Sequence, residues 1–293
     1  MTERTWPALD VERPKRSVAE GPDLLQAALV DYRVAAIDET SPDMWRVFFS
    51  SDAERDRAAV DIARQFPDVS TRPVDVADED WVAKSQADLR AVRVGNIIVA
   101  PPWDIPHTGK LKLNPAAEFE GARLTRPVII VIRPSMGFGT GHHATTRLCL
   151  AALQFLDVRG RSAIDIGTGS GVLAIAASRL GATPVVGIDD DPNALHSAEE
   201  SLTLNRAADV TLRTADLRST GPDTFDLVTA NLTGALLVEA AGRLHDLTVQ
   251  GGRLILSGFM RHEEETVRAA YSSLTVSNRS EEDEWVCVSM ERP

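Results

Sequence analysis

One segment of the sequence combines an apolar strand, a glycine-rich turn and a helix. It reads IDIGTGSGVL over residues 164–173. Glycine at alternate positions lets the backbone adopt positive φ and approach a ligand without an intervening Cβ, and the helix that follows directs its free N–H groups at that ligand. A strand-to-helix turn that binds nothing has the same local pattern, so the turn alone does not establish a site.

Beyond about residue 127, short apolar runs alternate with helical segments at a regular pace. The runs are bounded by Gly, Asp or Asn, as buried parallel strands are. This alternation predicts an α/β fold with a doubly wound parallel sheet, whose ligands bind at the carboxyl ends of the strands. The predicted strands are Ala163–Ile166, Pro184–Ile188, Leu227–Ala230 and Arg253–Ser257, and the predicted helices are Val172–Leu180, Asn193–Leu204 and Gly234–Leu247.

The C-terminal segment predicts a helix over Glu263–Tyr271 and then two strands, Leu274–Ser277 and Trp285–Met290. An acidic turn, Ser280–Glu284, separates the strands. We expect this pair to form a hairpin that closes the sheet.

The N-terminal part of the chain has shorter elements, which predict a small α+β unit. Its apolar patches are Asp23–Val30, Val34–Ile37 and Trp45–Phe49, with helical spacing over Arg55–Phe66. A helix at Trp81–Ala91 and a strand over Val92–Ala100 are expected to connect this unit to the rest. We therefore predict a domain of residues 1–77, a linker of residues 78–126 and a doubly wound domain of residues 127–293.

Charge and cysteine content narrow the class of protein. The 293 residues include 31 Lys and Arg against 43 Asp and Glu, a net charge of −12, which argues against nucleic-acid binding by phosphate neutralisation alone. Cys149 and Cys287 form no CxxC pair, so we expect a reducing cytoplasm rather than a disulfide framework. No apolar run suits a secretory signal or a membrane span. A small-molecule ligand or a basic protein partner remains open.

Asp189 ends the strand after the glycine turn, in Gly187-Ile188-Asp189. An acidic side chain about 20 residues after the first glycine, at the tip of the second strand, is where a ribose diol is held. The ligand is therefore expected to carry a free ribose. Asp190 and Asp191 are interpreted as a solvated turn and a helix N-cap, because Pro192 then takes the first helical position.

Two further polar residues lie at predicted strand ends. Asp216 follows the third strand region and is a candidate for the adenine amino group, although a surface turn is nearly as good an interpretation. Asn231 ends the fourth strand, where its side-chain carbonyl would accept a hydrogen bond from an amine nucleophile or from the amino group of the cofactor. An Asn that merely closes a strand into a turn is the alternative.

The glycine spacing bears on the cofactor. A dinucleotide fingerprint puts its third glycine at position 172, which is Val172 here, whereas this sequence has Gly171. We therefore favour S-adenosylmethionine (AdoMet), which carries an adenosine but no pyrophosphate, over a nicotinamide cofactor. Methyl transfer from a sulfonium mainly requires the protein to position an unprotonated nucleophile and exclude water.

A second dense segment, MGFGTGHHATTRLCL over residues 136–150, is expected to fold over the ligand and place Thr145 or Thr146 near a helix start. Adjacent His142 and His143 seldom reach one metal ion, so no metal site is predicted. Cys149 and Cys287 are interpreted as core residues.

With these segments the chain resembles the PrmA family, the AdoMet-dependent methyltransferases of the large-subunit ribosomal protein L11. The FGTG-x-H-x-TT-x-LCL motif is matched at Phe138–Leu150 and D-x-G-x-GSG-x-LAIAA at Asp165–Ala177. G-x-D-x-DP-x-A is matched at Gly187–Ala194 and GG-x-L-x-LSG at Gly251–Gly258, and the resemblance covers about residues 78–293. Two departures touch the substrate side more than the cofactor side: the family's NILA is NLTG at 231–234, and its HP is His143-Ala144.

The resemblance implies a class I Rossmann-like methyltransferase sheet, a ferredoxin-like N-terminal domain that recognises the substrate, and methylation of the α-amine and Lys ε-amines of that ribosomal protein. Together with the residue analysis it implies cofactor contacts at Phe138, Thr140, Thr146, Gly167, Gly169, Asp189, Asp216 and Asn231. No general base is identified. We expect a cytoplasmic monomer that contacts neither nucleic acid nor a membrane.

Three alternatives remain at this point. They are methylation of lysines in a different protein, an NAD-dependent oxidoreductase activity, and binding of the cofactor without turnover. Val172 disfavours the oxidoreductase, and the intact cofactor positions disfavour the last.

Overall fold

The computed structural model describes residues 5–12, 32, 34–41, 44–67, 69–77, 89–107, 127–133, 141–219, 221 and 223–293. The chain divides into two compact units, Met1–Leu89 and Arg90–Pro293. The predicted patch Asp23–Val30 and residues 81–88 of the predicted linker helix lie outside the described residues.

The N-terminal unit is a four-stranded antiparallel sheet. Its strands are β1 (Thr5–Glu12), β2 (Val34–Ser41), β3 (Met44–Phe49) and β4 (Thr71–Ala77), in the order β2-β3-β1-β4, and helix α1 (Asp52–Gln65) links β3 to β4. This order is the ferredoxin-like arrangement. Helix α1 buries Ala58 and Ile62 against Leu9, Val47 and Phe49 on one face of the sheet, because those side chains alternate along the strands.

The second unit begins with a three-stranded sheet made of β5 (Val92–Val94), β6 (Ile97–Ala100) and β7 (Val128–Val131). The single strand predicted over Val92–Ala100 is wrong: Gly95, at φ 58°, turns the chain so that Val94 pairs with Ile97. A two-residue turn with positive φ suits a hairpin, and glycine supplies it at low cost.

The large sheet has seven strands in the order β10-β9-β8-β11-β12-β14-β13. Pairs among β8 to β12 are parallel, and β14 is antiparallel to both of its neighbours. The strands are β8 (Ala163–Ile166), β9 (Val185–Asp189), β10 (Val210–Thr214), β11 (Phe225–Asn231), β12 (Thr248–Met260), β13 (Thr275–Glu282) and β14 (Trp285–Glu291). The chain runs outward in opposite directions from β8 and β11, which makes their junction the switch point of the sheet.

Helices cover both faces of this sheet. They are α2 (Ala144–Gln154), α3 (Val172–Arg179), α4 (Pro192–Asn205), α5 (Gly234–Glu239), α6 (Ala241–Leu247) and α7 (Glu264–Ala270). Leu148, Leu153 and Ile175 belong to one apolar core, and Leu237, Leu244 and Val267 to a second. The doubly wound parallel architecture predicted from the sequence is confirmed.

Three local predictions concern a helix N-cap, a single long helix and the C-terminal hairpin. The expected N-cap is confirmed: the Asp191 side chain accepts from Asn193 N at the start of α4, and Pro192 takes the first helical position. The single helix predicted over Gly234–Leu247 is wrong, because the chain bends at Ala240 into α5 and α6. The hairpin β13–β14 is confirmed, but its turn is only Asp283 and Glu284, both at positive φ, so most of the predicted acidic turn is strand.

Candidate functional site

The glycine turn lies at the carboxyl end of β8 and has the conformation that its sequence predicts. Gly167, Gly169 and Gly171 have φ of 64°, 52° and 79°. Helix α3 starts at the next residue, Val172, so its first N–H groups face the same edge of the sheet. An L-residue at any of these glycines would be strained.

Asp189 ends β9 beside this turn and is half-buried. Its Oδ2 accepts from Gly169 N at 2.9 Å, and its Oδ1 accepts from Asp191 N at 3.0 Å. Burial raises the pKa of this carboxyl, while the two N–H donors oppose the rise. The turn after β8 and the end of β9 are therefore joined through the Asp189 side chain.

A pocket of about 290 Å³ opens at this edge of the sheet. Three of the predicted site residues line it: Gly167 after β8, Asp189 at the end of β9 and Asp216 after β10. The remaining lining residues are Ile166, Ile188, Asp190, Ala215, Leu217, Arg218, Leu232, Leu236, Glu239, Ala240 and Arg243. The structure thus brings together residues spread over 78 positions, Ile166 to Arg243, of the chain.

Asp216 lies two residues beyond β10, and its Oδ1 accepts from Arg218 N at 2.8 Å. The Arg218 guanidinium reaches both Asp216, at 3.7 Å, and Glu239, at 3.4 Å. Such exposed ion pairs contribute little to stability. Arg218 and Glu239 nevertheless form part of the pocket wall, and the sequence prediction had assigned neither of them a role.

The other predicted site residues either do not line the pocket or lie outside the described residues. Asn231 is the half-buried last residue of β11, directly before Leu232 in the pocket wall. Thr146 is buried in the first turn of α2 and is not among the described residues that line the pocket. Gly169 donates to the Asp189 carboxylate and is not among the described residues that line the pocket. Phe138 and Thr140 lie outside the described residues.

The two adjacent histidines have different environments. His143 is the N-cap of α2: its Nδ1 lies 2.8 Å from Thr145 Oγ1, and its ring packs edge-on against Trp285 at 4.8 Å. Burial and the nearby Arg147 charge lower the pKa of His143, which favours the neutral ring that an N-cap acceptor requires. His142 Nε2 lies 3.0 Å from the carbonyl oxygen of Arg90.

Asp165 is a functional candidate that the sequence analysis quoted only as part of a motif. It is fully buried in β8, where Thr168 Oγ1 donates to Oδ2 at 2.7 Å and Thr229 Oγ1 donates to Oδ1 at 2.6 Å. Burial raises its pKa to about 6 against these hydrogen bonds and one from the Ala174 backbone. The available signal was a carboxylate inside the apolar strand AIDI, since buried carboxylates are rare unless they are paired.

The residues present fit an adenosine-containing sulfonium ligand. A Cβ added to Gly167 would lie 2.5 Å from Leu232 Cδ2, so this glycine lets a second strand-end loop close on the turn and leaves a floor without a side chain. Asp189 lies in the pocket wall beside that floor, and a carboxylate at the end of this strand is the kind of group that holds a ribose diol.

Comparison with known proteins decides the family. The family model described as ribosomal protein L11 methyltransferase (PrmA) matches residues 43–293. The chain belongs to the PrmA family. Several relatives within it align over most of their length, so membership covers both compact units rather than the glycine turn alone.

Two of these PrmA relatives are named ribosomal protein L11 methyltransferase. One, from Myxococcus xanthus, is 33% identical over 287 residues, which span 97% of this chain and 88% of that protein. The other, from Geobacter metallireducens, is 31% identical over 318 aligned positions, which span 98% of each chain.

A solved PrmA-like structure, the ribosomal protein L11 methylase of Lactobacillus delbrueckii subsp. bulgaricus, shares the fold. It is 25% identical with a TM-score of 0.60, over 70% of this chain and 99% of that one. Among the residues described here, no helix is long and apolar enough to cross a membrane.

Proposed function

We propose that this chain transfers methyl groups from AdoMet to amino groups of ribosomal protein L11, namely Lys ε-amines, the N-terminal α-amine or both. The observation that carries the proposal is the pocket at the switch point of the sheet, where a glycine turn and a strand-end carboxylate meet in a chain of the PrmA family. Homologues named for this activity align along nearly the whole sequence.

The cofactor residues follow from the order of the strands. Asp189 on β9 would hold the ribose, Asp216 after β10 would lie at the adenine, and Gly167 after β8 would face the methionine portion. Thr146, Asn231 and the segment with Phe138 and Thr140 complete the proposed set through the family resemblance, and Gly169 joins it through the glycine turn.

AdoMet supplies a methyl group on a sulfonium, so that the amine lone pair forms the N–C bond while the C–S bond breaks and its electron pair stays on sulfur. The protein must hold the amine in line and keep water out. Asn231, at the end of β11, would orient the amine through its side-chain carbonyl, and Leu232 and Ile166 provide an apolar wall beside it. The proton of the Lys ammonium passes to solvent before attack, so we assign no general base.

We assign substrate recognition to residues 1–77, the acidic ferredoxin-like sheet, with residues 78–126 as the linker and 127–293 as the catalytic part. A Lys-rich protein suits an acidic chain of net charge −12. The protein is expected to be a monomer in the cytoplasm, where ribosomal proteins are assembled, and to contact its substrate without binding nucleic acid.

The test is methylation with tritiated AdoMet, using purified ribosomal protein L11 and, in parallel, a lysate from a strain that lacks the gene. We expect the label on L11, with the modified amines located by mass spectrometry. Label on another protein would make the chain a lysine methyltransferase of that substrate. Absence of AdoMet binding by calorimetry, with binding of NAD instead, would overturn the proposal altogether.

A further inference from the structure

Leu232 is enclosed by two glycines that are distant in sequence. A Cβ added to Gly167 would lie 2.5 Å from Leu232 Cδ2, and one added to Gly258 would lie 2.8 Å from the Leu232 backbone N. Both glycines have positive φ, 64° and 94°. Leu232 N also donates to Ser257 O at 2.9 Å. Ser257 and Gly258, near the end of β12, therefore hold the Leu232 backbone where its side chain packs against the glycine turn after β8.

The pocket residues have a linear order because their strands do. Along the sheet the order is β10, β9, β8, β11, and the wall residues that follow are Asp216, Asp189, Gly167 and Leu232. A nucleoside with its base at Asp216 and its ribose at Asp189 extends its 5′ substituent toward Gly167 and Leu232. In the proposed cofactor that substituent is the sulfonium, which carries the group to be transferred.

We propose that Leu232 sets the size of the group that this enzyme transfers. The inference rests on the proposed methyl-transfer function. Leu232 is an apolar side chain at the β11 end of the pocket, next to Asn231, and its backbone is hydrogen-bonded to Ser257 O and packed closely against Gly258. A substituent larger than methyl would have to displace a side chain that already touches the glycine turn. Close packing of this kind rejects added carbon atoms.

Truncation of Leu232 should open this end of the pocket. The Ala side chain leaves space beside Gly167 without changing the groups at Asp189 or Asp216, so a longer S-alkyl group gains room while ribose and adenine contacts stay. Leu232→Ile keeps the volume and matches the residue in the family's NILA motif. Leu217→Ala makes the same truncation at the Asp216 end of the same pocket and is the matched control.

The first measurement is binding, by calorimetry of the full chain with AdoMet and with its S-allyl analogue. We expect the ratio of the two Kd values, allyl over methyl, to fall by at least about tenfold in Leu232→Ala, and to stay within about twofold of wild type in Leu232→Ile and Leu217→Ala. The second measurement is the ratio of allyl to methyl transfer to ribosomal protein L11, which should rise in the same variant only. In both reactions the N–C bond replaces the C–S bond, with S-adenosylhomocysteine as the second product.

Leu232→Val is a smaller truncation and serves as a second test in case the Leu232→Ala protein does not fold. It should shift both ratios in the same direction. Unchanged ratios in folded Leu232→Ala and Leu232→Val, or an equal change in Leu217→Ala, would overturn the size role. A wild-type chain that binds AdoMet and methylates L11 leaves the proposed function intact in that case. If the wild-type chain binds neither AdoMet nor its S-allyl analogue, the proposed function itself is wrong.

Discussion

The Thr229 hydroxyl donates a 2.6 Å hydrogen bond to the Asp165 carboxylate and so links β11 to β8. The two strands are neighbours at the switch point, and Asp165 is also bound by Thr168 in the glycine turn. A buried carboxyl thus ties the turn after β8 to the strand that ends in Asn231. The bond thus links the two strands whose ends flank the pocket.

This arrangement predicts a pH dependence of stability. Because burial raises the pKa of Asp165 from 3.8 to about 6, the folded state binds this proton more tightly than the unfolded state. The contribution of Asp165 to stability is complete below about pH 4 and is lost as the pH rises through 6, by up to roughly 3 kcal/mol. Urea denaturation at pH 4.5 and 7.5 should therefore show a wild-type advantage over Asp165→Asn that shrinks at the higher pH. Asp246→Asn, at an exposed position on α6, is the control, and an equal change in both variants would contradict the assignment.

Substitution of Asp189 tests the ribose contact. Asp189→Ala removes the hydrogen bonds of a charged acceptor, so AdoMet binding should weaken by about 1–3 kcal/mol in calorimetry. Asp190→Ala changes the exposed neighbour in the same pocket wall and should have a smaller effect. Unchanged affinity in Asp189→Ala would refute the ribose assignment.

Removal of residues 1–77 separates recognition from cofactor binding. The Arg90–Pro293 unit contains every described residue of the pocket, so the shortened chain should bind AdoMet with wild-type Kd. Methylation of ribosomal protein L11 should fall to background in the tritium assay. A full rate of methylation by the shortened chain would show that recognition lies elsewhere.

Substitution of His143 tests the N-cap of α2, the helix that contains Thr146. His143→Ala removes the N-cap and should destabilise the protein by about 1 kcal/mol in urea denaturation at pH 7.5. Because burial and Arg147 lower the pKa of His143, its contribution is present above pH 6.5 and is lost as the pH falls through the folded-state pKa. The difference between wild type and variant should therefore shrink at pH 5.5. A difference that grows on acidification would mean that the charged ring, not the neutral one, stabilises the helix.

Local signals in the sequence predicted the strands β8, β9, β11 and β12 and the helices α3, α4 and α7, but gave no bounds for β1, β4 or β10. Apolar periodicity and the Gly, Asp and Asn at strand ends act over a few residues. They predicted that Gly167 follows β8, that Asp189 ends β9 and that Asp191 is the N-cap of α4, as the structure shows. Errors arose where tertiary contacts decide a boundary. The predicted strand over Val92–Ala100 folds back at Gly95, because Ile97–Ala100 pair with β7. The helix predicted over Gly234–Leu247 breaks at Ala240.

Contacts between strands that are distant in sequence depend on the tertiary structure alone. The enclosure of Leu232 by Gly167 and Gly258, and the hydrogen bonds of Asp165 to Thr168 and Thr229, depend on strand order and register. A sequence pattern reports which residues share a face, because side-chain direction follows the local period of a helix or strand. It does not report which strands become neighbours, since that is set by packing of whole elements around the core. The residues proposed to bind the cofactor could therefore be named from the sequence, whereas the shape of the pocket around Leu232 depends on the folded sheet.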